Sequence, residues 1–537
     1  MNNIIYKNFI NHNKKLFSSK VKRNDKKIYI EFNGWACSHI AISNCLLALK
    51  KNFNYNVVAY PENGLQYFLN KKSILNKSKF YFGKKLGLKN FGIYKSFSTD
   101  NFLNIENKKV FLFESNLIFK KLLKKIKTKS DILNIKIKNI LVGDLIYDSF
   151  LKEYKKETII IKDKIFLDFL KKSIEYFLFW YYEFKNNKIK AVISSQSVYL
   201  SSLPIRIGIF HKCVCLVANP ERLYRLSKKM LFSDKEFLLF NKTKLKISKK
   251  LMKRGLNLSK KRLNSRFKGK VGVDLSYLSK TAYGRIKSKK VLKNNKKYKI
   301  LIAPHSFSDA PHQLGKHLFP DYFEWLNFIL QNANTKKFDW YIKCHPNFVE
   351  YFDNTIKIIK NFTKKFKFLN YLDPNVSHRQ LIHEGINAVI TCHGTIGSEY
   401  PFFGIPVINA SNSNPHINYK FNFHPKNSTE LKKILNRIDR KKIKINKNKL
   451  LEYYFLKNIY FSNKWLFNNI DDLIKFSDGY KNIYGKKSYE FWLKKWNIKK
   501  QNSLTGAISK FIDSKDYMMT FKHYKLNLKE HLNENSF

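Results

Sequence analysis

The sequence predicts an α/β fold made of two doubly wound domains. Two observations predict it. A strand–loop–helix–strand pattern occurs in two separate stretches of the 537 residues, and the stretch between them is basic and weakly patterned. A chain of this length is also expected to divide into domains and not to grow one core.

In the first stretch, "KIYIEFN" (27–33) reads as a strand, and Gly34 breaks it. "SHIAISNCLLALKKNF" (38–53) has helical spacing, and "YNVVAYP" (55–61) is a second strand. "NILVGDLIYD" (139–148), the apolar helix over 165–184 and "IKAVISSQS" (189–197) continue the alternation. A helix over 198–212 and the strand "CVCLVAN" (213–219) complete it. The expected divisions are an α/β domain over 1–226, a basic helical linker over 227–297, a second α/β domain over 298–480 and a helical tail over 481–537.

The second stretch is the more regular. Strands are expected at "YKILIAPH" (298–305), "DWYIKCHP" (339–346), "FKFLNYLD" (366–373), "INAVITC" (386–392) and "IPVINA" (405–410). Helices are expected at 321–333, 354–366, 377–385 with Ser377 as N-cap, and 397–404 ending in glycine.

Lys plus Arg number 103 against 39 Asp plus Glu, giving a formal net charge of +64. Lys, Asn, Ile, Phe and Tyr are abundant together, as AT-rich coding produces. The surface is positive whatever the cause and would attract anionic membranes and phosphorylated ligands. A nucleic-acid-binding protein is the rival reading from charge. The even spread of lysine through both halves, without a recognisable binding module, argues against it. The six cysteines form no C-x-x-C, so a reducing, cytosolic compartment is expected. No signal peptide is read at residues 1–17. The most apolar segment (165–184) is interrupted by five charges and reads as a buried or amphipathic helix.

Nine of the fourteen histidines fall between 305 and 424. His305, His345 and His393 each follow a predicted strand, where open α/β sheets bind ligands. "HGTIGSE" (393–399) runs from a strand into a helix start. Gly394 and Gly397 allow close backbone approach, Thr395 and Ser398 offer hydroxyls, and the helix start favours a phosphate. Glu399 would accept hydrogen bonds from ribose. In "KCHPN", Pro346 makes His345 extended, and Lys343 lies two residues back on the same face. "PHSFSDAPH" (304–312) gathers His305, Asp309 and His312, which suit a general base and phosphate clamps better than a metal. No Asp-x-Asp occurs, so no metal and no cofactor are expected.

"HSFSDAPH", "DYFEWL", "KCHPN", "LDPNVS" and "AVITCHGTIGSEYPFFGIPVI" together resemble the bacterial capsule and lipopolysaccharide biosynthesis glycosyltransferases of the GT-B type over roughly residues 298–412. The resemblance implies two Rossmann-like domains facing each other across a cleft, and a metal-independent transfer of sugar from a nucleotide sugar to a surface glycan. It implies that His345 contacts donor phosphate and that Thr395, Ser398 and Glu399 contact phosphate and ribose. His393 and His312 join the expected donor site. An Asp/Glu-Asp-Gly element of the kind sialyltransferases use is not found in the first half, so the donor stays open. In the first half, Trp35 could stack on an acceptor sugar, His39 could serve as base beside Asp309 and His305, and Ser195 lies on a hydroxyl-rich strand end. The expected partners are a nucleotide sugar, a glycan or lipid-linked glycan acceptor and the inner face of the cytoplasmic membrane, which the basic "FKKLLKKIKTK" (119–129) would meet. A nucleotide-sugar 2-epimerase or a polyol-phosphate transferase is the alternative on the same fold.

Overall fold

In the computed structural model, the described residues are 2–18, 25–50, 55–69, 90–105, 110–274, 280–350, 354–441, 443–462, 465–467 and 470–534. The chain forms two compact units. One comprises Met1–Ser149, Ile160–Ser233 and Asn463–Asn527; the other comprises Phe150–Ile159, Asp234–Ser462 and Leu528–Phe537.

The first unit is built on strands β1 (Lys27–Phe32), β2 (Asn56–Pro61) and β3 (Thr99–Phe102), the two-residue hairpin strands β4 (Lys136–Ile137) and β5 (Ile140–Leu141), and β6 (Ile189–Ser194), β7 (Val214–Ala218) and β8 (Leu223–Leu226). The six-stranded sheet runs β3-β2-β1-β6-β7-β8. All neighbours are parallel except β8, which returns antiparallel beside β7. β1 and β6 are buried along most of their length, as strands covered on both faces should be. The stretch 139–148, expected to continue the strand alternation, instead gives the β4–β5 hairpin followed by the helix Gly143–Tyr154. Gly143 is required there, because a Cβ would lie 2.0 Å from the carbonyl oxygen of Ile132.

The second unit carries β9 (Tyr298–Ile302), β10 (Phe338–Lys343), β11 (Leu369–Leu372), β12 (Ala388–Thr391) and β13 (Val407–Asn409). Its sheet runs β11-β10-β9-β12-β13, wholly parallel. The order reverses between β9 and β12, which makes that pair the switch point where ligands of such sheets bind. Ile300, Ile302, Trp340 and Ile342 pack on one face with Trp325 and Leu326; Leu301, Tyr341 and Val389 pack on the other with Leu381 and Tyr400. Both units therefore have the parallel 3-2-1-4-5 core of a Rossmann-like domain, and the two-domain α/β class expected for a GT-B chain is the class found.

The domain limits differ from those expected. Residues 463–480 and most of the expected tail join the first unit, where Trp465, Leu473, Ile483, Phe491, Ile508 and Phe511 share a core with Ile28 and Ile30. Residues 234–297, read as a linker, join the second unit; of these, 275–279 lie outside the described residues.

Candidate active site

Three histidines follow the carboxyl ends of adjacent strands in the second unit: His305 after β9, His345 after β10 and His393 after β12. They are divided between two clusters.

The first cluster is a stack of rings at the switch point. The His305 imidazole lies 4.4 Å from that of His393 and 4.7 Å from the Tyr322 ring; His393 lies 5.3 Å from His317. Hydrogen bonds orient each ring. The N–H of His393 donates to Nε2 of His305 (3.4 Å), and Thr391 Oγ1 stands 3.2 Å from the same atom. His317 donates from Nε2 to the Pro311 carbonyl and receives the Ser411 hydroxyl at Nδ1 (2.6 Å). The Tyr322 hydroxyl is 2.7 Å from Nε2 of His393. Desolvation keeps the rings neutral: it pulls His305 down to about 4 and His317 to about 3, and holds His393 well below the usual range. His312 is not free to clamp a phosphate through Nε2, which donates to the Pro320 carbonyl (2.9 Å), and the side chain is buried. Asp309 is exposed on the same loop. Among the described residues, no group of three or more His, Cys, Asp or Glu is arranged to hold a metal ion.

The second cluster surrounds Glu399. Arg266 Nη2 lies 2.7 Å from Oε1, and the Tyr283 hydroxyl donates to Oε2 at 2.8 Å. His345 accepts the N–H of Asn347 at Nδ1 (3.2 Å). Burial first, then Lys343 and Arg266, draw its pKa down to about 4, while Glu399 opposes them. His378 bonds the Tyr400 hydroxyl through Nδ1 (2.7 Å) and is held low by burial and by Lys343, His345 and Arg266. Lys343 is 3% exposed, and its ammonium meets the Cys344 carbonyl at 3.4 Å. Desolvation lowers it to about 8. An ammonium buried with so long a hydrogen bond is an expensive feature unless an anion joins it.

The loop 393–399 connects the clusters, and its details depart from expectation. The helix Ile396–Glu399 is one turn, continued as a 3-10 turn to Phe403 and closed by Gly404 at φ +82°. A single turn has little macrodipole, so the helix-end contribution to phosphate binding is small. Gly397 is needed for packing: a Cβ there would lie 2.6 Å from Cε1 of His416. The Ser398 hydroxyl donates back to the Thr395 carbonyl (3.0 Å) and is buried, which removes its hydrogen from a ligand. Gly394 and Thr395 remain partly exposed.

In the first unit, three expectations change. His39 is fully buried, accepts from the Tyr489 hydroxyl at Nδ1 and donates from Nε2 to the Asn33 carbonyl (2.9 Å). Both nitrogens are engaged, so it is a core histidine and not a base. Ser195 gives its hydroxyl to buried Glu31 (2.9 Å), which also takes the Ser194 hydroxyl (2.7 Å) and the Ser195 N–H (2.5 Å). Trp35 is partly buried, edge-on to Tyr484 at 5.8 Å. Sequence reasoning missed Arg266, Tyr283, His378 and Glu31. None sits in a local motif; Glu31 was legible only as an acid inside an apolar strand.

No protein-family model matches the chain, and no curated protein matches it. Among solved structures it is similar to the UDP-GlcNAc 2-epimerase of Neisseria meningitidis bound to UDP-GlcNAc, at 12% identity over 81% of this chain and 100% of that one, with a TM-score of 0.22. It is similar to the Methanocaldococcus jannaschii UDP-GlcNAc 2-epimerase in complex with UDP-GlcNAc and UDP, at 11% over 80% and 98%, TM-score 0.25. A putative UDP-N-acetylglucosamine 2-epimerase from Listeria monocytogenes gives 10% over 92% and 98%, TM-score 0.23. Likenesses at these TM-scores carry no argument about this chain; the fold assignment rests on its two sheets.

Proposed function

We propose that the chain is an enzyme acting on a nucleotide sugar, with the diphosphate held in the second unit by Lys343 and His345 and without a divalent cation. The observation that carries this reading is the buried Lys343 ammonium, 3.4 Å from a single main-chain carbonyl, beside His345 at the carboxyl edge of a Rossmann-like sheet. Charge that develops on a leaving diphosphate would be met there by preorganised donors. Thr395 extends the grip. Glu399, with both oxygens already engaged, keeps further lone pairs for ribose hydroxyls.

For the reaction, glycosyl transfer is favoured by the motif pattern over 298–412. The bond from the anomeric carbon to the phosphate oxygen would break, the acceptor oxygen would take its place, and the acceptor proton would pass to Asp309; His305, proposed as base from its strand-end position, has its acceptor nitrogen already engaged. Epimerisation of the donor is the second reading on the same fold; it uses the same grip and no acceptor.

Incubating the purified protein with each labelled nucleotide sugar, alone and with lipid-linked glycan acceptors, separates the readings. A changed sugar in the donor-only reaction establishes epimerisation. Label moving to acceptor establishes transfer. A donor that neither binds nor reacts, across all common nucleotides, defeats both.

A further inference from the structure

The helix Val110–Lys125 in the first unit has a packed inner side and an exposed outer side. Its inner side is committed: Phe111 stacks on Tyr182 with centroids 5.7 Å apart, and Ser115 is buried. Its one acid, Glu114, is paired with Lys138 (2.6 Å) and receives the Tyr182 hydroxyl (2.7 Å). On the outer side, Phe113 is 74% exposed and Leu117 54% exposed, four residues apart and therefore adjacent on the helix surface. Lys120, Lys121, Lys124 and Lys125 are exposed immediately beyond them, and the helix's one acid, Glu114, which borders this face, is engaged by Lys138. A phenyl ring left three-quarters in water is unusual on a soluble surface, and beside a lysine cluster it has the composition of a lipid contact.

We propose that this face docks on an anionic lipid bilayer, with Phe113 and Leu117 entering the acyl boundary and the four lysines lying over the headgroups. The charge pattern selects the occupant: four cations within two turns match a sheet of anionic headgroups, and the aliphatic Leu117 beside Phe113 suits an acyl boundary and not the sugar–phosphate exterior of a duplex. The helix lies on the surface and does not cross it; among the described residues, no helix is long and apolar enough to span a membrane. The inference is independent of the nucleotide-sugar reading.

Co-sedimentation of the full chain with vesicles of phosphatidylcholine alone, or with phosphatidylglycerol added, tests it. The wild type is expected to sediment with the anionic vesicles only. F113S/L117S is expected to lose binding at least about tenfold at unchanged net charge, since two side chains leave the acyl boundary. K120Q/K121Q/K124Q/K125Q is expected to lose about fivefold per lysine removed. K432Q/K433Q, exposed on the helix Ser428–Asn436 of the other unit, is expected to bind as wild type. The proposal is overturned if F113S/L117S binds anionic vesicles as tightly as wild type, if wild type ignores both vesicles, or if F113S/L117S weakens DNA retention as much as vesicle binding. Unchanged thermal melting of the variants excludes misfolding as the cause.

Discussion

Arg266 holds Glu399 in place: Nη2 stands 2.7 Å from Oε1, and both side chains are largely buried. The pair joins the helix Lys249–Phe267 to the loop after β12, so a residue from the basic middle of the chain anchors the candidate site. Removing one partner of a buried ion pair leaves the other uncompensated. Arg266→Ala is expected to destabilise the protein by about 3–5 kcal/mol in urea denaturation. R266M/E399L is expected to lose less than R266A alone, because neither charge is then stranded. A single-variant loss below about 1 kcal/mol, the size of an exposed pair, would show that the contact is peripheral.

Gly397 and Gly394 should respond differently to alanine. At Gly397 the new methyl meets the buried His416 ring at 2.6 Å and Asn409 Nδ2 at 3.0 Å; at Gly394 its nearest neighbour is Thr391 Oγ1 at 3.2 Å. G397A is expected to cost about 1–3 kcal/mol by overpacking. G394A should cost clearly less, and H416A should recover part of the G397A loss. Thermal melting of the three variants and of G397A/H416A checks this; equal losses for the two glycines would contradict it.

The sequence carried more of the second unit than of the first. Short apolar runs, each followed by histidine or proline, marked β9, β10 and β12, and a serine N-cap marked the helix His378–His383. These signals are local. His39 was misread because its helix, Ala36–Lys50, is buried almost all round; a polar residue in such a helix has no exposed face to betray its role. Ser195 was misread because its partner Glu31 lies 164 residues away. Arg266 and Tyr283 were invisible for the same reason: contact with Glu399 is tertiary, and lysine-rich surroundings gave no pattern to distinguish one cation. The return of residues 463–527 to the first unit is likewise a matter of which core their apolar faces find.

Acid should weaken the fold through its buried imidazoles. His39 and His305 have folded pKa values of about 4 against 6.5 when free. The unfolded chain therefore binds more protons below 6.5. Stability from these groups is complete above 6.5, declines as the pH falls toward 4 and levels off beyond. Each contributes a slope of up to about 1.4 kcal/mol per pH unit inside that window. Denaturant titrations across the window should show the decline, and His39→Gln should make it shallower. A stability independent of pH between 6.5 and 4 would mean that these rings are solvated.

Lys343 should be a burden in the free protein. Lys343→Met removes a charge with one long hydrogen bond and keeps most of the volume, so the unliganded variant is expected to melt no lower than wild type. A loss of more than about 2 kcal/mol would indicate that Lys343 serves the fold, as breaking a satisfied buried pair does.

Calorimetric titration of wild type, K343M and H345A with UDP, CDP, GDP and CMP, each paired with its bare nucleoside, goes to the centre of the account. One nucleotide should bind the wild type at least about tenfold more tightly than its nucleoside, and both variants should erase that difference, which corresponds to about 1.4 kcal/mol of phosphate recognition. If K343M and H345A bind the nucleotide as wild type does, or if phosphate adds nothing to the nucleoside's affinity, the second unit does not grip a diphosphate through these residues.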